Sequence, residues 1–168
     1  MSDQKPIGSQ FSAASTAREV TEGIDLSGKT AIVTGGYSGL GVETTRALAG
    51  AGARVIVPAR NREKAERTLA GIDNVVIEAM DLADPASVAA FAGRIVAVGM
   101  PISILVNSAG IMATPFARDE AGHESQFATN HLGHFRLVAG LWPVLVKASN
   151  ARVISVSSRG HQIGPIDF

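Results

Sequence analysis

One segment constrains this chain more than any other: Thr34-Gly35-Gly36-Tyr37-Ser38-Gly39-Leu40-Gly41, set between an apolar run ending at Thr34 and a helical stretch starting near Gly39. A strand that enters a helix through so tight a turn aims free backbone N–H groups and the positive helix end at one spot. A diphosphate can sit there only if no side chain blocks it, and glycine at 35, 39 and 41 supplies the clearance. The plain alternative is a glycine-rich turn that merely reverses the chain. The spacing G-x-x-x-G-x-G differs from the common dinucleotide fingerprint G-x-G-x-x-G, and no lysine follows to make it a G-x-x-x-x-G-K-[ST] phosphate loop.

Around this turn the sequence alternates. An apolar run, a glycine-bearing turn and a stretch with helical spacing recur about four times, which predicts parallel strands joined by crossover helices, an α/β doubly wound sheet. Strands are expected at Thr30–Thr34, Arg54–Pro58, Val75–Ala79, Ser103–Asn107 and Arg152–Ser157, Val/Ile-rich as strands covered on both faces should be. A helix should open at Asn61 and bury Ala65, Leu69 and Ile72; another should open at Asp84-Pro85 and bury Val88, Phe91, Ile95 and Val98. A longer helix is expected from Glu120 to Lys147, with Ala128, Leu132, Phe135, Ala139, Trp142 and Val146 as its core stripe.

Composition narrows the partners. Of 168 residues, 15 are Lys or Arg and 15 Asp or Glu, so no net field recruits nucleic acid or an anionic membrane. The absence of cysteine removes disulfides, thiolate nucleophiles and Cys-based zinc sites, and it suits a cytoplasmic setting. The stretch Leu137 to Val146 is too short to span a bilayer. Residues 1–25 read as a flexible arm without a signal-peptide core, and residues 26–168 as one domain.

Further marks join the glycine loop. The second strand ends in Val57-Pro58-Ala59-Arg60-Asn61-Arg62, where no carboxylate is present to grip a ribose 2′-hydroxyl; Arg60 and Arg62 can instead pair with a 2′-phosphate, or simply solvate a helix start. Met80-Asp81-Leu82 follows the third strand, where Asp81 could equally serve helix capping near Asp84, and Asn107-Ser108-Ala109-Gly110 follows the fourth. Thr129-Asn130-His131-Leu132-Gly133-His134-Phe135 lies within the long helix, and Arg152-Val153-Ile154-Ser155-Val156-Ser157-Ser158 forms the fifth strand. A mid-helix amide among apolar neighbours, such as Asn130, costs about 1–3 kcal/mol if buried and unpaired, so a partner is expected for it. His131 and His134 lack a third metal ligand and are expected to pack or to be solvated, so no metal site is assigned.

Together these segments resemble the short-chain dehydrogenase/reductase family, and within it the retinol-dehydrogenase-like branch. The resemblance covers Leu26 to Phe168. It implies a Rossmann fold with front strands in the order 3-2-1-4-5, and NADP, or failing that NAD, as cofactor. The cofactor would be held by Gly35, Tyr37, Ser38, Gly39, Leu40, Gly41, Arg60, Asn61, Asp81, Leu82, Asn107, Ser108, Ala109, Gly110 and Val156. It implies hydride transfer between the nicotinamide and a small carbonyl or alcohol substrate, with Ser158 holding the substrate oxygen and Asn130 helping to hold a water of the proton relay.

The family's back strands and its Tyr-x-x-x-Lys pair are missing; the only tyrosine is Tyr37. The chain therefore reads as truncated in a substrate-side loop at Gly160 to Phe168, able to bind cofactor but to turn over little, and as a homo-oligomer when full length. A non-catalytic NAD(P)-binding redox-sensing or interaction module is the alternative. A methyltransferase would want an acid closing the second strand, where Arg60 stands.

Overall fold

The apolar runs form five short strands in a computed structural model that describes residues 8–158. They are β1 (Thr30–Val33), β2 (Arg54–Ala59), β3 (Val75–Ala79), β4 (Ile104–Asn107) and β5 (Arg152–Ser155). All pair in parallel, in the order β3-β2-β1-β4-β5. The substrate-side loop expected at Gly160 to Phe168, like the first seven residues of the arm, lies outside the described residues.

The helices are α1 (Ala17–Thr21), α2 (Leu40–Gly50), α3 (Arg62–Leu69), α4 (Pro85–Val98), α5 (Ser125–Phe127) and α6 (His134–Leu145), with a π-helical segment, Ala128–Gly133, joining the last two. Within the arm, Thr16 and Glu19 cap α1 reciprocally, each side chain taking the other's backbone N–H. Asn61 caps α3 through Lys64 N at 2.8 Å, and Asp84 caps α4 through Ala86 N at 2.8 Å ahead of Pro85, as the sequence led us to expect.

Side chains alternate across the strands and feed two cores. Ala31, Val33, Val55, Val57 and Val106 pack with Ala49 of α2 and Leu69 of α3. Ile32, Ile56 and Leu105 face the other way, onto Val88, Phe91 and Ile95 of α4 and Leu137, Leu141 and Val144 of α6. With both faces covered, the central strands can be apolar at every position. The chain steps outward from β1 to β3, then crosses back to β4, and the reversal opens a crevice at the carboxyl ends of β1 and β4.

Four expectations need correction. Val98, expected on the buried stripe of α4, is exposed, because it is the last residue before the Gly99 cap and lies beyond the edge of the core. The fifth strand ends at Ser155 and is exposed along its length, since it is the sheet edge and no described element lies beyond it. The long helix starts at Ser125 because residues 118–124 form a turn of their own, closed by the Arg118–Glu124 bridge and by Asp119, which accepts from His123 N at 2.8 Å. Most instructive is the stripe expected on that helix: Phe135, Trp142 and Val146 are exposed, while His134, Leu137, Leu141 and Leu145 are buried. The π segment inserts an extra residue into the helical count, so everything after it is rotated by one position relative to an unbroken 3.6-residue period.

Candidate functional site

The crevice is built around the loop after β1. Gly35 has φ +66°, and a Cβ there would come within 2.9 Å of Ala109 Cα, so this glycine lets the β1 and β4 loops touch. At Gly41 a Cβ would collide with the carbonyl of Gly35, closing the loop onto the first turn of α2. Gly39 faces open space. Four loop amides, those of Gly36, Ser38, Gly41 and Val42, are spent on turn hydrogen bonds of 3.1–3.3 Å. The N–H groups of Gly39 and Leu40 keep no acceptor among the described residues, and no side chain caps α2. The N–H groups of Gly35 and Tyr37 likewise have no acceptor among the described residues, so these four loop amides and a helix tip border the crevice.

A cavity of about 480 Å³ follows from this tip. Of the residues singled out in the sequence, it is lined by Gly35, Tyr37, Ser38, Gly39, Leu40, Gly41, Arg60, Asp81, Leu82, Ser108, Ala109, Gly110 and Val156. A second cavity, about 950 Å³, shares Leu40, Ser108, Ala109, Gly110 and Val156 with the first and adds Asn107, Asn130 and Ser158. Asn61 lines neither, because its side chain is used as the α3 cap.

Sequence reasoning misassigned one cation and missed another. Arg62 donates to Glu66 Oε1 at 3.1 Å and to Ile77 O at 3.0 Å, which ties α3 to β3 and turns it from the cavity. Lys64 lines the cavity instead, with Arg60, and neither has an acidic partner among the described residues. The available signal was Lys64's place in the first turn of α3, close to the end of β2. Asp81 accepts from Ala83 N at 3.0 Å in a turn, and Asp84 takes the cap of α4, so the capping alternative for Asp81 falls away.

Asn130 is exposed rather than buried, and its side-chain amide is nonetheless paired. Its Oδ1 accepts from Ile111 N and its Nδ2 donates to Ile111 O, both at 2.8 Å, so the amide clamps the chain after Gly110. One N–H and one lone pair of the amide stay free for a water, and the Asn130 backbone carbonyl accepts from His134 Nδ1 at 2.7 Å. Asn107 donates to Ser155 Oγ at 3.4 Å, and its buried Oδ1 has no donor among the described residues. Ser158 sits past the end of β5, exposed, on the wall of the larger cavity. His131 is exposed and stacks on Phe127, with centroids 5.1 Å apart.

Burial holds the His134 ring below its ordinary 6.5; His131 acts in the same direction, against the bond to Asn130. An unfolded chain then binds a proton that the folded one refuses. The contribution of neutral His134 to stability is complete above about pH 6.5 and is lost as pH falls toward the lower folded value. Thermal melts between about pH 7.5 and pH 5 should show this decline, and His134→Gln should flatten it. An unchanged slope in the variant would assign the acid sensitivity to other groups.

Residues 29–167 match the short chain dehydrogenase family. The chain is 50% identical over 153 residues to the "Probable oxidoreductase" of Streptomyces antibioticus, covering 86% of this chain and 50% of that protein. It is 38% identical over 154 residues to retinol dehydrogenase 12 of Mus musculus, covering 88% and 49%. It is also similar to the solved Pseudomonas aeruginosa RhlG/NADP active-site complex, with a TM-score of 0.66 and 31% identity over 77% of this chain and 54% of that one. The chain spans about half the length of the curated relatives it matches.

Proposed function

This chain belongs to the short chain dehydrogenase family, and from that premise we propose that its crevice is the coenzyme site of an NADP-dependent oxidoreductase acting on a carbonyl or alcohol. The observation that carries the reading is the uncapped tip of α2, with the N–H groups of Gly39 and Leu40 left without acceptors at a cavity whose floor Gly35 and Gly41 let pack tightly, Gly35 against Ala109 and Gly41 against the Gly35 carbonyl. This suits a diphosphate.

Each lining group then has a task. Gly39 and Leu40 hold the diphosphate, Asp81 and Leu82 border the adenine, and Ser108 to Gly110 with Val156 form the wall beside the nicotinamide. When bound, the coenzyme supplies or accepts the hydride. Ser158 would hold the substrate oxygen by its hydroxyl, and Asn130 acts by fixing Ile111. The substrate class rests on likeness to a retinol dehydrogenase, and the cytoplasm is the setting this reading assigns. Self-association belongs to the same reading, supported by the exposed Phe135 and Trp142 on α6 and Val146 just after it.

Preference for NADP over NAD rests on Arg60 and Lys64, which border the cavity where no carboxylate closes β2. NADPH should bind more tightly than NADH in fluorescence titrations. The double change Arg60→Ala, Lys64→Ala should remove that margin, a loss of roughly ten- to hundredfold for NADPH with little change for NADH. Equal affinity of the unaltered protein for the two coenzymes would refute the assignment.

A further inference from the structure

His134 is a buried titratable side chain to which the reading above gives no task. It sits where the π segment passes into α6 and reaches back to the root of the glycine loop. Its backbone N–H bonds to His131 O, and Asn130 O, the carbonyl an α-helical N–H would have used, accepts from the ring Nδ1 at 2.7 Å. A carbonyl can only accept, so Nδ1 carries the proton and, in the neutral ring, Nε2 is an acceptor. Across from it, at 2.9 Å, lies the hydroxyl of Thr34.

That hydroxyl is fully subscribed. Ser108 N donates to Thr34 Oγ1 at 2.9 Å and Ala109 N at 3.0 Å, which occupies both lone pairs. Its one proton must go elsewhere, and His134 Nε2 at 2.9 Å is a far better acceptor than Val106 O at 3.4 Å. Four groups from three parts of the chain therefore interlock in one orientation: the α6 ring, the hydroxyl that follows β1 and the two amides that follow β4.

We propose that His134 is a positioning residue of the coenzyme site, which by accepting the Thr34 proton orients Thr34 Oγ1 to hold the Ser108 and Ala109 amides and so sets the wall between the two cavities. The proposal rests on the functional reading above for its consequence in coenzyme binding, but not for its geometry. Asn130 and His134, four residues apart across the π segment, then act on consecutive parts of one loop: His134 on Ser108 and Ala109 through Thr34, Asn130 directly on Ile111.

The test compares the unaltered protein with His134→Leu and His134→Gln, the glutamine carbonyl being able to replace Nε2 as acceptor. In 15N-resolved NMR, His134 should carry its proton on Nδ1, and His134→Leu should move the Ser108 and Ala109 amide resonances while His134→Gln largely restores them. NADPH affinity of the folded protein should fall about tenfold in His134→Leu, the loss expected for one hydrogen bond, and recover in His134→Gln. A proton on Nε2, or a leucine variant that melts lower yet keeps both amide resonances and its NADPH affinity, would overturn the proposal. If the unaltered protein binds neither coenzyme, the functional reading fails, and the tautomer and the two amides still decide the positioning role.

Discussion

Gly41→Ala should weaken NADPH binding by about a hundredfold, roughly 2.7 kcal/mol, and lower stability by a further 1–3 kcal/mol or so. The reason is that the added methyl meets the Gly35 carbonyl, which is backbone and has no rotamer to yield. Relief requires the loop to move away from α2, and with it go the aim of the Gly39 and Leu40 amides and the contact of Gly35 with Ala109. Gly50→Ala, at the far end of the same helix, adds a methyl into open space and serves as the control. Fluorescence titration and a thermal melt check both variants; coenzyme affinity that survives in Gly41→Ala would contradict the close packing of loop and helix.

Phe91→Ala should cost about 3–5 kcal/mol, the range for deleting a fully buried aromatic side chain. Phe91 is wholly enclosed on α4, within the core that unites Ile32 and Leu105 of the sheet with Leu137 and Leu141 of α6. Deleting it leaves a cavity between two helices and the sheet, and a domain whose total stability is on the order of 5–15 kcal/mol has little reserve for that. Phe135→Ala, by contrast, removes a ring that is 68% exposed and should change stability little. Urea unfolding of the two variants separates them, and similar midpoints would mean that the core is not where the buried surface places it.

Both results depend on features of unequal legibility in the sequence. Strand positions, the caps at Asn61 and Asp84, and the glycine loop rest on local patterns, and the fold repeats them closely; the strand order was legible only through the family resemblance. The burial phase of α6 does not. A period of 3.6 residues read through Ala128 to Gly133 carries no mark of the extra residue that the π segment inserts, and the apolar side chains on both flanks of α6 make either phase plausible on paper. Arg62 and Lys64 fail for a related reason. Which of two cations near a helix start faces the cavity is decided by Ile77 O, an acceptor on the next strand that no reading of residues 60–64 alone can supply. Thr34 and His134, 100 positions apart, are likewise joined only by the fold.

The rotation of α6 also leaves the protein an optical probe. Trp142, its one tryptophan, is 58% exposed on α6 and lines neither cavity. With that exposure its emission is expected near that of a hydrated indole, and unfolding should shift the spectrum little. Any surface that comes to rest on Trp142 should drive the emission toward the blue, which makes coverage of this helix readable without a label.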